Sequence, residues 1–86
     1  MDPYQVLKYP ISTEKVVRLM ESDNKLVFIV DRKAKKQDIK KAFEDLFKVK
    51  ALKINVLITP EGEKKAYIKL PKETPAIDIA TQLGLI

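Results

Sequence analysis

The run Lys25–Asp31 (KLVFIVD) is apolar on both sides of an extended chain: Leu26, Phe28 and Val30 point one way, Val27 and Ile29 the other. A strand of this kind must be covered above and below, so it is expected at the centre of a sheet with helices on both faces. Residues 36–48 carry the helical period instead. Ile39, Ala42, Phe43, Leu46 and Phe47 form one apolar stripe, while Lys36, Lys40, Lys41, Glu44 and Asp45 take the opposite face. Asp38 in the first turn and Lys48 in the last have the signs that a helix dipole favours.

Two more strands follow, Ala51–Thr59 and Lys64–Leu70, each alternating. Pro60-Glu61-Gly62 between them is turn chemistry and makes the pair a hairpin. Facing residues must share a side, and pairing Ile58 with Ala66 and Val56 with Ile68 achieves this. That register sets Asn55 beside Lys69 and Leu57 beside Tyr67.

The flanks complete the pattern. Asp2–Ile11 reads as a short edge strand with Pro3 and Pro10 near its ends. Ser12–Glu21 reads as a helix capped by Ser12 or Thr13, with Val16, Val17, Leu19 and Met20 as its apolar stripe, ended by Ser22-Asp23-Asn24. Thr74 as cap and Pro75 at the first helical position start a last helix that turns Ile77, Ala80 and Leu83 inward and stops at Gly84. The order is (β)αβαββα, without repeats or linkers, so residues 1–86 are expected to form one domain. Its fold class is α/β (α+β): a split β-α-β with an antiparallel sheet of about four strands, the last strand inserted between the two of the β-α-β unit, and helices on both faces in three layers.

Composition mainly excludes. The 86 residues include no cysteine and no histidine, which removes disulfides, thiol chemistry, thiolate metal sites and the commonest general base. The only glycines are Gly62 and Gly84, too few for a phosphate loop. Glu44 and Asp45 diverge on a helix, and Glu61 and Glu63 sit in an exposed turn. An enzyme, a metal, a cofactor or a small-molecule substrate is therefore not expected. No apolar stretch approaches the roughly 18–20 residues of a membrane span, so a soluble, intracellular chain without membrane insertion is expected.

Charge adds a direction. Seventeen Lys+Arg against 12 Asp+Glu give a net charge of +5, a bias toward polyanions. The excess is almost all lysine, a composition that hints at a thermophilic source. Alternation gathers Lys53, Asn55, Lys65, Tyr67 and Lys69 on the outer face of the hairpin. Lysines there can neutralise phosphates, Asn55 can read a base edge or 2′-hydroxyl, and Tyr67 can stack on an unpaired base. The same pattern also suits an ordinary solvated sheet face with Tyr67 packed on Leu57 or under a helix. A second cluster, Arg32, Lys33, Lys35 and Lys36, enters the central helix, either as a solvated loop or as a phosphate contact.

Lys8-Tyr9-Pro10-Ile11-Ser12-Thr13-Glu14-Lys15 resembles the proline-then-Thr-Glu-Lys signature of the ribosomal protein L-twenty-three family of the large subunit. The resemblance continues in order through Ala34–Ala42 (AKKQDIKKA), Leu46-Phe47-Lys48-Val49, Ile54-Asn55 and Lys64-Lys65-Ala66-Tyr67-Ile68. It implies a non-catalytic, cytoplasmic component of the ribosome. Its implied partners are large-subunit rRNA beside the polypeptide tunnel exit, neighbouring large-subunit ribosomal proteins, and the signal recognition particle and other nascent-chain factors. With the charge pattern it nominates Lys8, Thr13, Lys15, Arg32, Lys33, Lys35, Lys36, Lys40, Lys53, Asn55, Lys65, Tyr67 and Lys69 for rRNA. It nominates Glu14 for factor docking; the alternative for Glu14 is a charge complementing its helix dipole. The hairpin connection is far shorter than the long basic loop of bacterial members, and the basic amino-terminal extension of eukaryotic ones is missing, so the archaeal form fits best. Lys35 and Val56 stand where many relatives have threonine. The alternative is another basic α/β RNA-binding protein or ribonucleoprotein interaction module.

Overall fold

A computed structural model describes residues 2–85; Met1 and Ile86, the ends of the expected 1–86 domain, lie outside the described residues. The elements are α1 (Pro3–Val6), β1 (Leu7–Pro10), α2 (Glu14–Ser22), β2 (Lys25–Val30), α3 (Lys36–Phe47), β3 (Lys53–Ile58), β4 (Lys64–Lys69) and α4 (Ala76–Gln82). The sheet order is β1-β2-β4-β3 and every pair is antiparallel. β4 thus lies between β2 and β3, the split β-α-β expected from sequence.

The two apolar faces of β2 organise the layers. Phe28 meets Phe43 edge-on at 6.2 Å and Phe47 at 6.0 Å, which fixes α3 on the Leu26/Phe28/Val30 side. α1 packs on α3. Val27 and Ile29, on the other side, are buried as well. Cover there comes from α2 and α4, which pack on each other and on β2. No described helix is long and apolar enough to cross a membrane.

Four expectations need correction. The first segment is not strand throughout: Asp2 accepts the Tyr4 N–H, Pro3 follows in the first turn, and this cap-then-proline start makes a helical turn before β1. Lys48 is not in the last turn of α3 but just beyond it, in the left-handed region at φ 58°.

The hairpin register is shifted by two residues. Ile54 faces Ile68, Val56 faces Ala66 and Ile58 faces Lys64, while Asn55 faces Tyr67 and Leu57 faces Lys65. The turn is the cause. Gly62 N–H donates to the Thr59 carbonyl at 2.9 Å, Thr59 N–H donates to the Glu63 carbonyl at 2.8 Å, and Gly62 sits at φ +87°. A three-residue connection ending in a left-handed glycine closes on Thr59 and Glu63 and counts the ladder from there.

α4 starts one residue later than expected, with Pro75 as cap and no capping side chain of its own. Ala76, Ile79 and Ala80 are its buried residues, while Ile77 and Leu83 are half-buried. The missing cap is supplied by Asn24, whose Oδ1 accepts the Ala76 N–H at 2.6 Å. At its other end Gly84, at φ +75°, donates to the Thr81 carbonyl and Leu85 to the Ala80 carbonyl, a Schellman closure.

Candidate nucleic-acid interface

The observed register sets three rows across the sheet face that lies away from α3. Tyr9, Ile29, Lys65 and Leu57 make the first, Val27, Tyr67 and Asn55 the second, and Lys25, Lys69 and Lys53 the third. Helices cover the β2 part of this face, and the β3 part is open: Lys53, Asn55 and Leu57 are exposed. Lys53, Asn55, Lys65, Tyr67 and Lys69 therefore do share one surface. Tyr67 is half-buried and packs against the core, so its ring is partly committed; Asn55 beside it is free to solvent.

The third row is the unusual one. Lys69 is flanked directly by Lys25 on one strand and by Lys53 on the other. Like charges opposite one another across strands destabilise a sheet. Among the described residues no carboxylate offsets them: the single ion pair is Glu14–Arg18 at 3.1 Å, and no lysine has a carboxylate within 4.0 Å. Lys25 is not legible as part of the patch from sequence, because β2 reads as a core strand. Its charge joins the patch only once β4 is known to lie beside β2.

The second cluster forms at the entry to α3. Lys33, Lys35 and Lys36 are exposed, and Lys33 N–H bonds to the Asp31 carboxylate at 2.8 Å to tighten the turn. Lys35 is the cap residue of α3. The Asp38 carboxylate accepts the Lys35 N–H at 3.0 Å, but an ammonium has no lone pair with which to cap in return. A lysine here thus adds a charge and forgoes half of a capping box. Arg32 departs from the cluster: its Nη1 lies 3.7 Å from where a Cβ on Gly62 would be, against the hairpin tip.

An open groove of about 210 Å³, lined by Lys36, Gln37, Lys40, Leu52, Lys53 and Ile54, joins the two clusters between α3 and β3. Lys40 belongs to this groove. Lys8, on β1, and Lys15, on α2, are exposed, and Thr13 caps α2 by accepting the Val16 N–H at 3.3 Å. None of these three hydrogen-bonds to either cluster. Glu14, at the first position of α2, pairs with Arg18 and has 84% of its side chain exposed.

On the edge of the same face, the Tyr9 hydroxyl donates to Glu63 Oε2 at 2.8 Å. The hydrogen bond first, then desolvation and the charge of Glu63, raise the phenol above its ordinary 10.0.

Two lysine clusters joined by a groove on a small α/β domain define a basic protein with a surface of the sign that suits polyanions. Comparison with known proteins makes this particular. The family described as Ribosomal protein L23 matches residues 5–77. The chain is 51% identical over 85 residues to "Large ribosomal subunit protein uL23" of Methanococcus aeolicus, covering 99% of both chains. It is 51% identical to the protein of that name from Methanothermobacter thermautotrophicus and 49% to that of Methanococcus vannielii, with the same coverage. The chain belongs to the ribosomal protein L23 family, as an archaeal-type, cytoplasmic constituent of the large ribosomal subunit and not an enzyme.

Proposed function

We propose that the chain binds large-subunit rRNA through the open hairpin face and the α3 entry, near the polypeptide exit tunnel. The observation that carries this is the Lys25–Lys69–Lys53 row. Three lysines in register, without an ion-pair partner among the described residues, cost stability in the free protein and suit successive phosphates of a polyanion. Lys65, Lys36 and Lys40 extend the positive surface on either side of Lys53. Asn55, exposed beside Tyr67, supplies donors and an acceptor to a base edge or a 2′-hydroxyl. Lys33 and Lys35 contact phosphates from the α3 entry, with Arg32 held at the hairpin tip and Lys8, Thr13 and Lys15 as contacts on the β1–α2 side.

Filter binding to large-subunit rRNA across a salt series tests the reading. Removing one phosphate-bound ammonium should flatten the slope of log affinity against log salt by roughly 0.7–0.9. Lys65→Ala with Lys69→Ala should weaken binding and flatten the slope; an unchanged titration would remove the hairpin face from the interface.

Glu14 gives a second surface, for protein factors including the signal recognition particle. It is carried by its exposure at the start of α2, where its charge needs no partner beyond Arg18 to be tolerated. Glu14→Ala should reduce factor co-sedimentation with ribosomes while leaving rRNA affinity unchanged.

A further inference from the structure

The sheet has two edges, and they are built differently. β1 is guarded: its register breaks between Leu7 and Tyr9, Lys8 is exposed within it, and Pro10 ends it. Bulge, lysine and proline are the devices that keep a foreign strand from pairing with an edge. β3 has no bulge and no proline, and its only charged residue is Lys53 at the start.

The turn fixes which of its backbone groups are free. Thr59 bonds to Glu63 across the hairpin, so in an antiparallel ladder the odd residues of β3 bond to β4 and the even ones face outward. The N–H and C=O groups of Ile54, Val56 and Ile58 therefore line the open edge. No turn, cap or side chain among the described residues bonds to them. Apolar side chains accompany them: Leu52 is 64% exposed, Ile58 56% and Leu57 54%.

Charge selects the occupant. Lys53 and Lys65 stand on the face away from α3, Lys36 and Lys40 line the groove beside β3, and no lysine has a carboxylate within 4.0 Å among the described residues. A second copy of the chain would bring the same lysines and a net charge of +5. A nucleic acid cannot match the alternating row of backbone donors and acceptors, and it leaves the apolar side chains wet. An added strand with apolar residues on the α3 side would cover Ile58 and Val56. Carboxylates at the alternate positions would meet Lys53 directly, with Lys65 one strand further in behind Leu57.

We infer that β3 is a docking edge for an extended segment of a partner protein, one alternating apolar and acidic residues, which adds as a fifth strand. The inference does not depend on RNA binding at the lysine row.

Amide hydrogen exchange by NMR on the full chain tests it, with a blocked seven-residue peptide of alternating Glu and Val as probe. Saturating peptide should slow exchange at Ile54, Val56 and Ile58 by about tenfold or more, since each amide gains a partner or cover. The same peptide with Lys for Glu should not. Val56→Pro removes an outward N–H without touching the β4 ladder, so it should abolish the protection while the protein still unfolds cooperatively. If that variant does not fold, Ile58→Glu, at an exposed position, should abolish protection instead. Absence of protection at these three amides, or protection that survives both substitutions, overturns the inference. So does protection that rises with protein concentration alone, or that an RNA oligonucleotide produces equally.

Discussion

Asn24 Oδ1 accepts the backbone N–H of Ala76 at 2.6 Å, capping a helix that begins 52 residues further along the chain. The same side chain donates through Nδ2 to the carbonyls of Leu70 at 3.1 Å, Pro71 at 2.9 Å and Thr74 at 3.1 Å. One amide thus ties the α2–β2 turn to the β4–α4 connection. Its backbone sits at φ 55°, a conformation that asparagine tolerates better than most residues.

Asn24→Ala should therefore remove a cap and three carbonyl partners and add left-handed strain. The expected cost is about 2–3 kcal/mol, seen as a fall in Tm of more than roughly 10 °C. Asn24→Asp should cost at least as much, because it keeps the acceptor but turns a carboxylate toward three carbonyls. A thermal melt in which Asn24→Asp matches the wild type would show that the Nδ2 bonds contribute nothing.

The phenylalanine cluster is the second structural test. Phe43 has 0% exposure and lies 4.9 Å from Phe47 between ring centroids. Phe43→Ala should cost about 3–5 kcal/mol, enough to leave a domain of this size largely unfolded, whereas Phe43→Leu should retain a cooperative transition. Circular dichroism melts would settle the pair.

Gly62 predicts a smaller, purely backbone effect. A Cβ there would meet Arg32 Nη1 at an ordinary 3.7 Å, so Gly62→Ala is opposed by its φ of +87° and not by crowding. The expected loss is about 1 kcal/mol, and Gly62→Asn should lose less. Equal losses would mean that the left-handed turn is not what limits the position.

Tyr9 should titrate above its ordinary 10.0, because the neutral phenol is the form that donates to Glu63. A folded pKa above the unfolded one means that the contribution is fully present below about pH 10 and is lost as pH rises through the folded value. Glu63→Ala should bring Tyr9 back toward 10.0, read by NMR of the labelled ring. A titration that does not move on substitution would assign the shift to something other than the hydrogen bond.

Much of the fold can be read from particular residues. The doubly apolar β2 announces its central place, and the stripe from Ile39 to Phe47 announces α3. Parity alone cannot choose between Ile58–Ala66 and Ile58–Lys64, since both keep core residues on the core side. Only the left-handed Gly62 decides. The phase of α4 is hidden in the sequence because its cap comes from Asn24 and not from Thr74. Lys25 is hidden for the same kind of reason: its neighbours are set by topology, not by spacing along the chain.

The most direct test of the central claim is the effect of Lys69→Gln on free stability and rRNA affinity measured on the same protein. Relieving two flanking like charges should raise stability by roughly 0.5–1 kcal/mol in urea unfolding at low salt. If the row binds phosphates as proposed, removing one ammonium should lower rRNA affinity and flatten the salt slope by roughly 0.7–0.9. A more stable protein that binds more weakly is the result predicted for a row of lysines kept for phosphates. A variant that is less stable, or that binds rRNA with unchanged affinity and slope, contradicts it.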